Sequence, residues 1–118
     1  DYIREVDATG ETVWEWHAQD EMEIENYPIH PLGPRDEFCH ANSLFPLANG
    51  DYLISFRRNS WIFIIDRKSK KVRWERNDYG WGGQHDAQML DNGNIMLFAN
   101  GQFGESPTHC SRVIEFNL

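Results

Sequence analysis

The sequence is poor in cysteine. Cys39 and Cys110 are its only two, too few for a disulfide scaffold and uninformative about redox compartment. It lacks a basic excess: 11 Lys+Arg stand against 19 Asp+Glu, a formal net charge of -8. Without a basic stripe to displace counterions, nucleic acid is excluded as the main partner. No apolar run approaches the roughly 20 residues that span a bilayer, so no membrane partner is expected. No initiator Met opens the chain, and DYIREVDATG lacks the apolar core of a signal peptide. A mature or truncated piece of a longer protein is therefore expected.

Aromatic residues are not scarce. Five Trp and seven Phe in 118 residues supply apolar mass for a core and argue against disorder. The length is that of one ordinary domain.

The patterning is that of short strands. Residues 2–7 and 12–16 alternate around the turn Ala8-Thr9-Gly10. Residues 18–38 follow with no strand pattern, three prolines and a cluster of acids. A single helical turn over 20–25 and a solvated lid are the expectations there. Strands resume at 40–47, 52–57, 61–66 and 72–75. A Gly-rich connector over 79–83 leads to strands at 85–90, 95–99 and 111–117.

This order contains an internal repeat. ANGDYLISF aligns with DNGNIMLFA, placing Gly50 against Gly93, 43 residues on. FIIDRKSKKVRWER matches IREVDATGETVWEW, and RVIEFN matches the opening strand. A period in the low forties with four short strands per unit predicts propeller blades. The strands YLISF, WIFII and NIMLF are apolar on both faces, as stacked blades require and a one-sided sheet does not. The fold class read here is all-β, a partial β-propeller over 1–118. Residues 1–17 would be the last two strands of one blade, 18–39 a long acidic loop, 40–76 a full blade, and 84–118 the first three strands of the next. Two and a fraction blades cannot close a ring of at least about four, so open sheet edges are expected.

In that topology the innermost strand of each blade starts at the channel mouth. His40 and His85 begin such strands, 9 and 7 residues before Asn49 and Asn92. The difference of two keeps strand parity, so both side chains can face the same way. The second strands return to that mouth at Arg57 and Asn100, and a third strand leaves it at Arg112. Histidines with arginines suit a small anion bearing several oxygens. Arg offers a planar donor fork, and His can act as acid, base or nucleophile.

CHANS, DYLISFRR, WIFIIDRKSKKVRWE, GQHDAQMLDNGNIMLFANG and SRVIEF, taken in this order, closely resemble the arylsulfotransferase family. The resemblance covers nearly the whole chain. It implies a six-bladed propeller, periplasmic or secreted, that moves a sulfuryl group from an aryl sulfate to an acceptor phenol without a nucleotide sulfate donor. No metal and no cofactor are expected. The resemblance implies catalytic roles for His40, His85 and Arg112 around the sulfuryl group; Asn42, Arg57 and Asn100 are expected to bind substrate. The family's nucleophile is a histidine of a later blade that becomes sulfated. Only VIEFNL follows Arg112, so an incomplete site and an inactive fragment are expected.

Blander readings stand beside these. His40 and His85 could be strand-start residues satisfied by neighbouring carbonyls, Arg112 could make a surface ion pair, and Arg57 with Arg58 could form a solvated corner. Cys39-His40 and His109-Cys110 invite a zinc reading, but adjacent ligands are not zinc spacing; a Cys39–Cys110 disulfide is the other possibility. The acids of 20–25 lack calcium-loop spacing. His17 and His30 have no assigned role. The alternative to the transferase is a non-catalytic propeller scaffold, and a weaker one is a lyase or other anion-handling propeller.

Overall fold

A computed structural model describes residues 1–103 and 110–118. Among these residues nine strands form three antiparallel sheets of two, four and three strands, each in sequential order. β1 (Tyr2–Val6) and β2 (Thr12–His17) make the first. β3 (Ala41–Pro46), β4 (Tyr52–Phe56), β5 (Trp61–Ile65) and β6 (Val72–Asn77) make the second. β7 (His85–Met89), β8 (Ile95–Ala99) and β9 (Arg112–Phe116) make the third. The architecture is all-β and fits a propeller fragment.

The turns follow from local chemistry. Gly50 and Gly93 sit at φ +91° and +86°, which L side chains rarely adopt. In both hairpins the glycine N–H bonds back to a leucine carbonyl, Leu47 or Leu90, at 2.9 Å. Asn49 and Asn92 each accept the N–H two residues on, at 3.1 and 2.9 Å. Asp7 and Asp66 close the β1–β2 and β5–β6 turns in the same way, accepting from the N–H groups of Thr9 and Ser69 at 2.8 and 2.6 Å.

The sheets stack through two cores. Ile3, Trp14 and Trp16 of the first sheet pack with Ile54, Phe56, Phe63 and Ile65 of the second. On its other face the second sheet turns Leu53, Ile62 and Ile64 against Trp81, Ala87, Ile95, Leu97 and Ala99. Alternate residues of β4 and β5 therefore enter opposite cores, which is why their sequences carry no polar face.

The long loop corrects the expectation of a free lid. Its helical turn is a 3-10 turn at Ala18–Asp20 rather than over 20–25, because Ala18 and Met22 are drawn into the first core. Tyr27 sets its ring edge-on to Trp61 and Phe63 and donates to Glu75 at 2.9 Å. The Tyr27 carbonyl accepts from Asn59 at 2.6 Å, and that of Pro28 from Tyr79 at 3.0 Å. Lys71 pairs with Glu21 at 2.6 Å. His30 also has a structural place, stacked on Phe103 at 4.5 Å and edge-on to Tyr79. The loop is thus fastened across the end of the second sheet to the start of the third.

Both cysteines are free, Cys39 buried and Cys110 exposed, so the Cys39–Cys110 pairing is not formed. Burial pushes the Cys39 thiol up to about 11, and it lies against Met22 Sδ at 3.9 Å. His109 lies outside the described residues. No helix among the described residues is long and apolar enough to cross a membrane.

Candidate active site at the start of the inner strands

The inner strands β3 and β7 each carry a bulge near their start. In β3 Asn42 is passed over between the rungs Ala41–Phe56 and Ser43–Ser55. In β7 the two residues Asp86 and Ala87 face only Leu97, between His85–Phe98 and Gln88–Met96. Asp86 reaches this through φ 54°. The bulge frees Ala87 N–H from the ladder, and it donates to Ser43 Oγ of the neighbouring sheet at 3.1 Å.

Gln84 is the second stitch between these sheets. Its side chain is wholly buried, and Nε2 lies 3.1 to 3.2 Å from Ser55 Oγ, Phe56 O and Trp61 O. Its own carbonyl accepts from Asn42 Nδ2 at 2.7 Å. The residue before His85 is therefore clamped from both directions. Next to it, the carbonyls of Trp81 and Gly82 accept from the N–H groups of Gly101 and Gln102 at 2.9 and 3.0 Å. Gly82 sits at φ +58°, and a Cβ there would lie 2.2 Å from Gln102 N. Only glycine permits that approach.

His85 is half-buried, with Nδ1 2.7 Å from Asn100 Oδ1. An amide oxygen only accepts, so Nδ1 carries the proton and Nε2 of the neutral ring keeps its lone pair. Arg57 reaches the same corner: Nη2 donates to Gln102 Oε1 at 3.4 Å, and its Nε would lie 3.6 Å from a Cβ on Gly83. Asn42 Oδ1, Arg57 Nε and Gln84 Oε1 are buried with no hydrogen-bond partner, so the fold leaves polar capacity unused at this end.

The other two candidates are held differently. Arg112 is exposed at the start of β9 and donates to Gly80 O at 3.2 Å. His40 lies just before β3 at φ 56°, outside the strand, so alternation does not set its direction. Its carbonyl accepts from Arg57 N–H at 3.0 Å. That places it two rungs beyond the level of His85, whose counterpart across the repeat by register is Ser43. At about 3.4 Å per residue the offset is roughly 7 Å along the strand. The His40 ring meets Glu37, with Nδ1 2.5 Å from Oε1, and lines a cavity of about 640 Å³ together with Met22, Phe38, Cys39 and several acids.

Hydrogen bonds thus join His85 to Asn100, and Asn42 to the residue before His85. Arg57 stands beside them through Gln102, whereas His40 and Arg112 bond elsewhere. Three supporting residues had no role from sequence: Gln84, Gln102 and Glu37. Gln84 was visible within the Gln84-His85-Asp86 motif, but its clamp depends on a sheet 29 residues away in sequence. Arg58 is also not a solvated corner. Its side chain is 12% exposed and binds Glu37 at 2.7 Å and Asp36 at 3.2 Å. Among the described residues no cluster of three His, Cys, Asp or Glu could hold a metal ion.

Comparison with known proteins gives one family. The model described as Arylsulfotransferase (ASST) matches residues 1–118, the whole chain. No curated protein matches the chain.

Proposed function

The chain belongs to the arylsulfotransferase family, and from that premise we propose that it forms part of an enzyme moving a sulfuryl group from an aryl sulfate to an acceptor phenol. The observation that carries the proposal is the match of the family over the full chain. The tautomer-fixed His85 beside Arg57 and Asn100 supports it.

The chemistry suits these groups. Sulfuryl transfer has a loose transition state with charge spread over the peripheral oxygens, so positioning and charge stabilisation dominate catalysis, as in phosphoryl transfer. Arg112 would hold sulfuryl oxygens, and His85 would join it as a donor once its Nε2, left free by the Asn100 contact, takes up a proton. Arg57, Asn42 and Asn100 would bind and orient the substrate, and Arg112 would exchange its contact with the Gly80 carbonyl for an anion. His40 would protonate the departing phenolate. The nucleophilic histidine that carries the sulfuryl group between donor and acceptor would come from outside residues 1–118, so the chain alone would not turn over. A periplasmic or secreted setting belongs to the same reading.

A chromogenic aryl sulfate with a phenol acceptor tests this on the full-length protein that contains the chain. Phenol-dependent release of the chromophore is the expected result. Mass spectrometry after exposure to donor alone separates the reading from a non-catalytic scaffold, since only the transferase yields a sulfated histidine. A lyase or other anion-handling propeller would release product without one.

A further inference from the structure

His40 does not stand alone at the mouth of β3. Glu37 Oε1 receives three contacts: His40 Nδ1 at 2.5 Å, Arg58 Nε at 2.8 Å and Arg58 Nη2 at 2.7 Å. Arg58 is itself anchored, its side chain 12% exposed and its N–H donating to Cys39 O at 3.1 Å. Asp36 Oδ1 accepts from the same Nη2 at 3.2 Å. The His40 hydrogen bond, and after it those from Arg58, hold the Glu37 carboxyl below the usual carboxylate range, so it is ionised at neutral pH. The charged groups around the ring are then Glu37 and Arg58, the Asp1 carboxylate that accepts from Ala41 N–H at 2.7 Å, and Glu23 and Glu25 of the cavity that His40 lines.

We propose that Glu37 is a positioning residue for His40, holding Nδ1–H so that Nε2 is the atom presented to the phenolic oxygen of the sulfate donor. The proposal rests on the transferase reading. The carboxylate fixes ring orientation and tautomer, while Arg58 keeps the carboxylate from turning away. In the transfer step the bond between sulfur and phenolic oxygen breaks and its electron pair stays on oxygen. That oxygen takes the proton from His40 Nε2, and sulfur bonds to the nucleophilic histidine. The acceptor phenol returns a proton to His40 when it takes the sulfuryl group.

The test is leaving-group dependence in the full-length protein. With phenyl sulfate, whose leaving group is basic, Glu37→Gln is expected to lower kcat roughly 100-fold. With 4-nitrophenyl sulfate, whose leaving group needs little protonation, the loss is expected to stay under about 10-fold, with KM within about two-fold for both. Equal losses on the two donors, or none, would overturn the proposal. The ¹⁵N shifts of the His40 ring give a readout that needs no activity. The Nδ1–H tautomer should dominate at neutral ring charge in the wild type and be lost in Glu37→Ala. A wild type that transfers nothing sinks the transferase reading, whereas an unchanged tautomer in Glu37→Ala sinks the Glu37 assignment itself.

Discussion

His85 Nδ1 and Asn100 Oδ1 lie 2.7 Å apart, tying the first residue of β7 to the residue just past β8. One amide thereby decides which nitrogen of the imidazole is free. Asn100→Ala should leave the fold intact and lower kcat/KM by roughly 10- to 100-fold, as expected for about 1–3 kcal/mol from a lost hydrogen bond at a half-buried group. Steady-state assay with an aryl sulfate checks this. An unchanged kcat/KM would mean that Asn100 does not orient His85.

Gln84 should matter to stability more than its single side chain suggests. Gln84→Leu deprives Ser55 Oγ, Phe56 O and Trp61 O of a shared donor in a site with no access to water. A loss of about 2–4 kcal/mol is expected, read from the urea midpoint. A variant within about 0.5 kcal/mol of wild type would show that the clamp contributes nothing.

Acid should weaken the first sheet's attachment in a defined window. Hydrogen bonds from Arg67 at 2.6 and 2.5 Å, and then from the Tyr52 hydroxyl, hold the Glu5 carboxyl down to about 2 from its ordinary 4.5. The folded value is the lower one, so this stability is fully present above 4.5 and is lost as pH falls through 2. Unfolding free energy measured over that range should fall less steeply in Glu5→Gln. Identical slopes would contradict the assignment.

Two glycines should respond differently to alanine. At Gly82 the added Cβ meets backbone at 2.2 Å, whereas at Gly50 nothing lies within 4 Å and only the φ of +91° opposes it. Gly50→Ala should cost about 1 kcal/mol and Gly82→Ala about 2–4 kcal/mol. Parallel denaturation curves decide the order.

The strands and hairpins were legible because their causes are local. Asn-Gly turns require positive φ wherever they occur, and the two-sided apolar runs of β4 and β5 announce two cores. The site was only partly legible. Counting along strands brings His85, Arg57 and Asn100 to one end of the sheets, whereas Asn42 enters only through the resemblance. The bulges at Asn42 and at Asp86–Ala87 could not be placed by counting, since each is set by what the neighbouring sheet offers the freed groups. His40 misled for the same reason: a left-handed residue outside β3 takes its direction from Glu37, and that contact arises within an irregular loop. The loop's own anchoring through Tyr27 and Met22 is tertiary, and an acid-rich, proline-rich composition does not reveal it.

The most direct measurement is sulfuryl transfer by the full-length protein with and without His85. The wild type should move the sulfuryl group from a chromogenic aryl sulfate to phenol, and His85→Ala should lose at least about 100-fold in kcat/KM while unfolding at an unchanged urea midpoint. Full activity in a folded His85→Ala protein would contradict the account.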